Sequence, residues 1–251
     1  MVNTMRSRGF VSTVAILVFL AAWEIAPRLH LVEGFYTSQP SHVLTASWEI
    51  LRTPSFVKDV SVSLEEFVLG FVLAVVVGVP IGLLLGTFQT LRYLVDPPIM
   101  ALYATPQLAL IPIYVLWLGI GMSSKVAVVF VVAVIPVIVN SIAGVRQVDP
   151  SLVLVARSFC ARQHDVFRKV ILPASLPSVM IGIRLGMSRG ILGVVVAEMY
   201  VSQDGVGNQI LKLGSAFRVD HLLFYVLLVS AFGFAATSLV RKFEEHFEGG
   251  R

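Results

Sequence analysis

The sequence predicts an all-α, polytopic membrane protein of about six transmembrane helices. Three observations carry that reading. Of the 251 residues, 57% are hydrophobic and only 14% charged, well short of the ~25% charge typical of a water-soluble domain. The apolar residues cluster into runs near the ~20 residues that a ~30 Å hydrocarbon core requires. The basic residues behind the pI near 9.4 are spread over the segments between runs. That spread is a topology signal, so no nucleic-acid partner is expected. Cys160 is the single cysteine, which excludes an internal disulfide.

The runs cover about 10–26, 64–87, 97–119, 124–140, 176–199 and 221–240. Arg6 and Arg8 ahead of the first run imitate a secretory signal, but the small residues near its end make a poor cleavage pattern. The run is therefore read as a retained helix. Charge sets the orientation. With both termini inside, the inner segments hold Arg6, Arg8, Arg92, Arg146, Arg157, Arg162, Arg168, Lys169, Arg241, Lys242 and Arg251. Arg28, Arg52, Lys58, Lys125, Lys212 and Arg218 are left outside. The inner excess places both termini, and segment 141–175, in the cytoplasm. The chain divides into 1–62, a membrane helix plus an external segment, and 63–251, the main membrane domain.

Within the second run, Gly70, Ala74, Gly78, Gly82 and Gly86 stand four apart; the fifth run has Gly182, Gly186 and Gly190. Lipid supplies no hydrophobic drive between helices, so such stripes let backbones approach and gain van der Waals contact. Packing inside one chain and packing against a second copy both fit. The third run holds Pro106 and Pro112 among Tyr103, Thr105, Gln107 and Tyr114. Each proline removes a backbone donor and kinks a helix. Tyr103, Thr105 and Gln107 are candidates to line a path, with a purely structural kink as the competing reading.

Segment 141–175 reads as two short amphipathic helices. Asp149-Pro150 looks like an N-cap followed by proline in the first turn. Leu152, Val155, Ala156 and Phe159 then recur at i, i+3, i+4 and i+7. A second stretch, 165–172, sets Val166 and Val170 against Arg168 and Lys169, with Pro173 closing it and Pro177 starting the fifth run. The exposed face could rest on membrane lipid or dock into a groove on a partner.

This segment resembles the cytoplasmic coupling loop of binding-protein-dependent ABC transporter permeases, written E-A-A-x3-G-x9-I-x-L-P. In that register Ala156, Leu172 and Pro173 match, Val170 replaces isoleucine, Leu154 and Val155 replace Glu-Ala, and Cys160 replaces glycine. The stretches at 63–86, 96–125, 172–199 and 204–210 are similar to the branch that imports nitrate, sulfonates and taurine. The resemblance implies the fold of a type I importer permease (MetI-like) in the bacterial inner membrane. It also implies ATPase subunits as partners, a second permease copy or paralogue, and an external substrate-binding protein. Leu154, Val155, Ala156, Cys160, Val170, Leu172 and Pro173 would form the ATPase-coupling loop. No G-x4-G-K-[ST] phosphate loop occurs in the chain. The expectation is a non-enzymatic subunit that binds no cofactor or metal, with ATP hydrolysed on another chain. At Cys160, a side chain in the left-handed region costs about 1 kcal/mol, so the expectation is a turn of negative φ or a loop that bends less.

Three ionisable residues fall within the fifth run, where charge at mid-bilayer costs about 2.5–3.5 kcal/mol. Arg184 is close enough to the cytoplasmic end to snorkel. Arg189 lies deeper and is the candidate attractor for an anion, while Glu198 near the outer end is a candidate for the external gate. Two rival readings are weaker. "GMSRG" (186–190) matches G-x-S-x-G, but Ser188 lies ~15 Å in depth from His221 at ~1.5 Å per residue, against a hydrogen-bond reach of ~3 Å. An ion-coupled secondary transporter would need deep coupling sites and inverted repeats that the sequence does not display.

Overall fold

The computed structural model describes residues 2–29 and 37–248, and every regular element among them is a helix. Helix α1 (Val2–Arg28) contains the first apolar run as one continuous element of 27 residues. Then come α2 (Pro40–Leu51), α3 (Pro54–Thr87), α4 (Gln89–Ala104), α5 (Ile111–Leu118) and α6 (Met122–Arg146). The chain continues through α7 (Pro150–Ser158), α8 (Gln163–Val166), α9 (Leu172–Val201), α10 (Val206–Ser215) and α11 (Val219–Glu248). Among the described residues, α3, α6, the run Gln163–Val201 and α11 are each long and apolar enough to cross a membrane. The pair α4 and α5 supplies a fifth crossing if its two arms are one broken span. Arg251, counted among the inner charges, lies outside the described residues.

The core is α6, clasped between α3 and α9. In the most apolar stretch of α6, 61% of residues are buried, against 39% for α3 and for the span ending in α9. The small-residue stripes make this possible. A Cβ built on Gly78 would lie 2.9 Å from Val137 Cγ1, one on Gly82 2.7 Å from the Ile138 carbonyl, and one on Gly86 2.6 Å from Val145 Cβ. Along these pairs the residue numbers rise together on the two helices, so α3 and α6 run parallel. Against α9 the register of α6 is antiparallel. Gly182 meets Asn140, Gly186 meets Ala133, and Gly144 meets Ser175 and Ser178 of α9. The stripes thus serve packing within the chain.

The third apolar run departs most from expectation. Instead of a kinked helix it is two arms, at 87° to one another. Pro106 forces Thr105 out of the α region, to φ −71° and ψ 138°. A 3-10 turn, Gln107–Leu110, follows. Pro112 bends nothing: it sits in the first turn of α5, where no intrahelical N–H is required.

A second difference concerns Pro173 and Pro177. Neither interrupts the chain. Residues Phe167–Ile171 form one π-helical turn that joins α8 to α9 without a break. Leu172 N–H donates to the Phe167 carbonyl, Pro173 falls in the first turn of α9, and Pro177 is carried inside it. The continuous helical run therefore begins at Gln163, whereas the apolar run starts only at residue 176.

At the end of the molecule away from α7, short helices close the bundle. Ile50 of α2, Val206 of α10 and Tyr225 of α11 form one buried cluster, backed by Phe56 and Phe224. Glu24 of α1 accepts the Ser41 N–H at 3.1 Å and Trp23 donates to the Ser38 carbonyl at 2.8 Å, tying α1 to the start of α2.

The stripe packing is testable at two glycines. Gly82→Leu cannot be accommodated against the backbone of α6 and should abolish recovery of folded protein in mild detergent. Gly233→Ala, whose Cβ would have its nearest neighbour at 3.8 Å, should leave the elution profile and melting temperature unchanged. Size-exclusion chromatography with thermal unfolding reads both.

Candidate functional site

The break between α4 and α5 and the middle of α9 enclose a cleft of about 270 Å³. Its walls include Thr105, Gln107, Leu108, Val132, Arg189 and Leu192. Arg189 Nη2 donates to the Tyr103 hydroxyl at 3.3 Å, and its guanidinium carbon lies 4.9 Å from the Tyr103 ring centroid. Both contacts hold the cation in place. Thr105 Oγ1 donates to the Ala101 carbonyl at 2.8 Å, and Gln107 Nε2 to the Leu102 carbonyl at 3.1 Å. The Ala101 carbonyl also accepts the Thr105 N–H at 3.0 Å, whereas Gln107 supplies the Leu102 carbonyl with the donor that Pro106, lacking an N–H, does not. Arg189 is then the group with spare donors, and it has no carboxylate partner among the described residues. Four of the five path residues read from sequence, Tyr103, Thr105, Gln107 and Arg189, meet here.

Glu198 does not join them. It is fully buried at the opposite end of the bundle from α7, in an ionic network that the sequence reading missed. Glu198 accepts the Ser63 hydroxyl and the Gly207 N–H, the latter at 2.7 Å. Asp59 accepts the Gly205 N–H and Gln209 Nε2, each at 2.8 Å. Glu66 forms an ion pair with Lys125 of α6, which also donates to Ser202 Oγ at 2.9 Å. All four charged groups are nearly inaccessible. The network has a structural logic. The first N–H groups of α10 lack a cap of their own, and Asp59, Ser63 and Glu198 supply it from α3 and α9. Outside the spans, the Lys58 ammonium 2.7 Å away holds the Asp204 carboxyl below the ordinary carboxylate range. Asp59, Ser63 and Glu66 at i, i+4 and i+7 were a polar stripe visible in the sequence. The apolar run began only at residue 64, which left Asp59 and Ser63 outside it, and Lys125 was counted with the outer-segment charges.

At the other end, α7 stands proud of the bundle. Asp149 caps it by accepting the Ser151 N–H at 2.8 Å, and this bond holds the Asp149 carboxyl below its usual range. Val153 and Ala156 turn toward the bundle. Leu152, Leu154, Val155 and Phe159 are exposed, Phe159 at 81%. Val166 is buried, Val170 and Leu172 are half-buried, and Pro173 is exposed. Lys169 pairs with Asp165 at 3.2 Å. The expectation of a negative φ at Cys160 is overturned: φ is +55°. The helix ends in a Schellman turn, with Ala161 N–H on the Ala156 carbonyl at 3.1 Å and Cys160 N–H on the Arg157 carbonyl at 2.9 Å. Two hydrogen bonds impose the left-handed conformation on a residue that is not glycine.

Two other residues singled out in the sequence find ordinary partners. Arg184 does not need to snorkel, because its Nε lies 3.4 Å from Glu244 Oε2 of α11. Ser188 Oγ donates to the Arg184 carbonyl one turn back at 3.2 Å, and His221 pairs with Asp220 and Glu49. The serine and the histidine are not brought together.

Among known proteins, residues 78–248 match the family described as binding-protein-dependent transport system inner membrane component. The chain is 31% identical over 227 residues to the putative aliphatic sulfonates transport permease SsuC of Bacillus subtilis, covering 90% of this chain and 82% of that protein. It is 29% identical to the taurine transport system permease TauC of Escherichia coli, over 89% of this chain and 82% of that protein. Against the nitrate import permease NrtB of Synechocystis, identity is 28% over 88% and 82%. A solved inward-facing MetNI methionine ABC transporter superposes with a TM-score of 0.62 at 19% identity, covering 75% of this chain and 95% of that one. This last likeness concerns the fold.

Three substitutions test the geometry. Lys125→Met leaves Glu66 buried and unpaired, which should cost about 3–5 kcal/mol. Adding Glu66→Leu should restore most of the loss, and thermal unfolding of the two variants reads the difference. Cys160→Gly removes the left-handed penalty of about 1 kcal/mol. It should slow hydrogen exchange at the amides of residues 156–161; faster exchange there would count against the strained turn.

Proposed function

This chain belongs to the family of binding-protein-dependent transport system inner membrane components, and from that premise we propose how it works as the permease of an ABC importer. It is a multi-pass protein of the inner membrane. The cleft at the α4–α5 break forms part of the translocation path. The transported solute is a small anion of the sulfonate, taurine or nitrate type, attracted by Arg189. The single observation that carries this reading is the convergence of an uncompensated guanidinium with a broken span. An arginine in a low-dielectric wall without a carboxylate is costly unless an anion or water meets it. Its fork offers two parallel donors to the oxygens of a sulfonate or nitrate.

Coupling uses the opposite feature, a face with nothing to bind within the chain. Leu152, Leu154, Val155 and Phe159 project from the end that the charge bias assigns to the cytoplasm. A short apolar helix of this kind suits a groove on an ATPase subunit. The loss of the family's glutamate at Leu154 makes that contact depend on packing more than on ion pairing. An external substrate-binding protein would deliver the solute to the other end. A second copy or paralogue of this chain would complete the path.

The test is uptake by the transporter reconstituted with its ATPase and binding protein. Arg189→Gln should lower uptake at least about tenfold, equivalent to losing one charge-assisted pair worth ~1.5–3 kcal/mol. Arg189→Lys, which keeps the charge without the fork, should retain an intermediate rate. Normal uptake by a fully assembled Arg189→Gln complex would remove Arg189 from the path.

A further inference from the structure

A second cavity lies away from the translocation cleft. It opens between the inner side of α7 and the ends of α3 and α6, with a volume of about 490 Å³. That falls within the ~300–1,000 Å³ of sites that take small organic molecules. Its lining divides by chemistry. Val145 and Phe167 belong to an apolar side, whereas Thr87, Arg157, Cys160 and Gln163 are polar. The charge balance around Arg157 is one-sided. Asp149 is occupied in capping α7, and Asp165 is held by Lys169. Leu154, one turn back from Arg157, offers no carboxylate. Among the described residues no acidic side chain pairs with Arg157, while Arg162 and Arg168 add to the positive field.

We propose that this cavity beneath α7 is a binding site for a small organic anion, with its acidic head on Arg157 and its apolar part against Val145 and Phe167. The site is separate from the Arg189 cleft and from the exposed face of α7. Its occupant would stand between α7 and the bundle. A ligand there would resist any approach of α7 toward α3 and α6, so it would act as a brake on coupling from the α7 side. The same head chemistry is offered by a free sulfonate or carboxylate and by the headgroup of an anionic lipid. Both would be drawn by one guanidinium fork.

The chain carries its own reporter. Cys160 lines the cavity, is exposed, and is the only cysteine in the sequence. The experiment measures the rate of N-ethylmaleimide labelling of Cys160, by mass spectrometry of this chain, in the assembled transporter held in phosphatidylcholine nanodiscs. Pentane-1-sulfonate, at ten times its half-maximal concentration, should slow labelling roughly tenfold by mass action. The uncharged pentan-1-ol at equal concentration should leave the rate unchanged. Arg157→Gln should abolish the protection, and Arg157→Lys should retain part of it. Protection that instead requires phosphatidylglycerol in the nanodisc assigns the same site to a lipid headgroup. Protection by pentan-1-ol, or protection that survives Arg157→Gln, overturns the anion assignment. Unchanged labelling in every arm overturns the site.

Discussion

The close approach of α3 and α9 to α6 sets the geometry of both ends of the molecule. In a bilayer the apolar surface of a helix is already solvated by acyl chains, so burial alone does not bring helices together. What remains is short-range dispersion, which falls off steeply with separation. At Gly78, Gly82 and Gly86 there is no room for a side chain on α3, and at Gly182 and Gly186 there is none on α9. The contact is therefore backbone against side chain along the length of three spans. Because the residue pairs keep constant register, α6 cannot slide against either neighbour without a steric clash. It is a rigid centre to which the two ends of the molecule are attached.

That rigidity explains why the two ends can be chemically opposite. Away from α7, buried carboxylates of α3 and α9 grip the N-terminus of α10 and Lys125 of α6. Such a network tolerates little relative motion, since each charge is stable only while its partners are in place. At the α7 end the connections are few and loose. α7 buries no residue and meets the bundle across a cavity. One end is fixed by polar bonds that are costly to break, and the other is left free to be moved. The coupling role proposed for α7 calls for an element of the second kind.

Much of this was legible in the sequence because it is written locally. The apolar runs, the glycine stripes, the Asp149-Pro150 cap and the alternating faces of α7 each follow from a few neighbouring residues. Tyr103, Thr105, Gln107 and Arg189 were singled out for polarity within apolar runs, and their meeting follows from the fold. Three features were not legible. Hydropathy averages hid Asp59 and Glu66, because a polar start to a long helix resembles a loop. The π turn at Phe167–Ile171 has no composition signature, so Pro173 was read as a stop when it is a first-turn residue. The sign of φ at Cys160 is set by two backbone hydrogen bonds, which side-chain propensity cannot reveal.

The Cys160 turn shows how local strain and function connect. A left-handed residue with a Cβ is held there only because the Schellman bonds over-determine it. The consequence is that the α7 C-terminus has one well-defined exit direction, which places Phe159 outward and Ala161 inward toward the cavity. A glycine would satisfy the same bonds at lower cost but would also enlarge the set of conformations available when they break. The side chain thus trades stability of the turn for a narrower choice of alternatives. For the coupling role proposed here, that narrower choice would keep the motion of α7 tied to the bundle and prevent its dissipation in the turn.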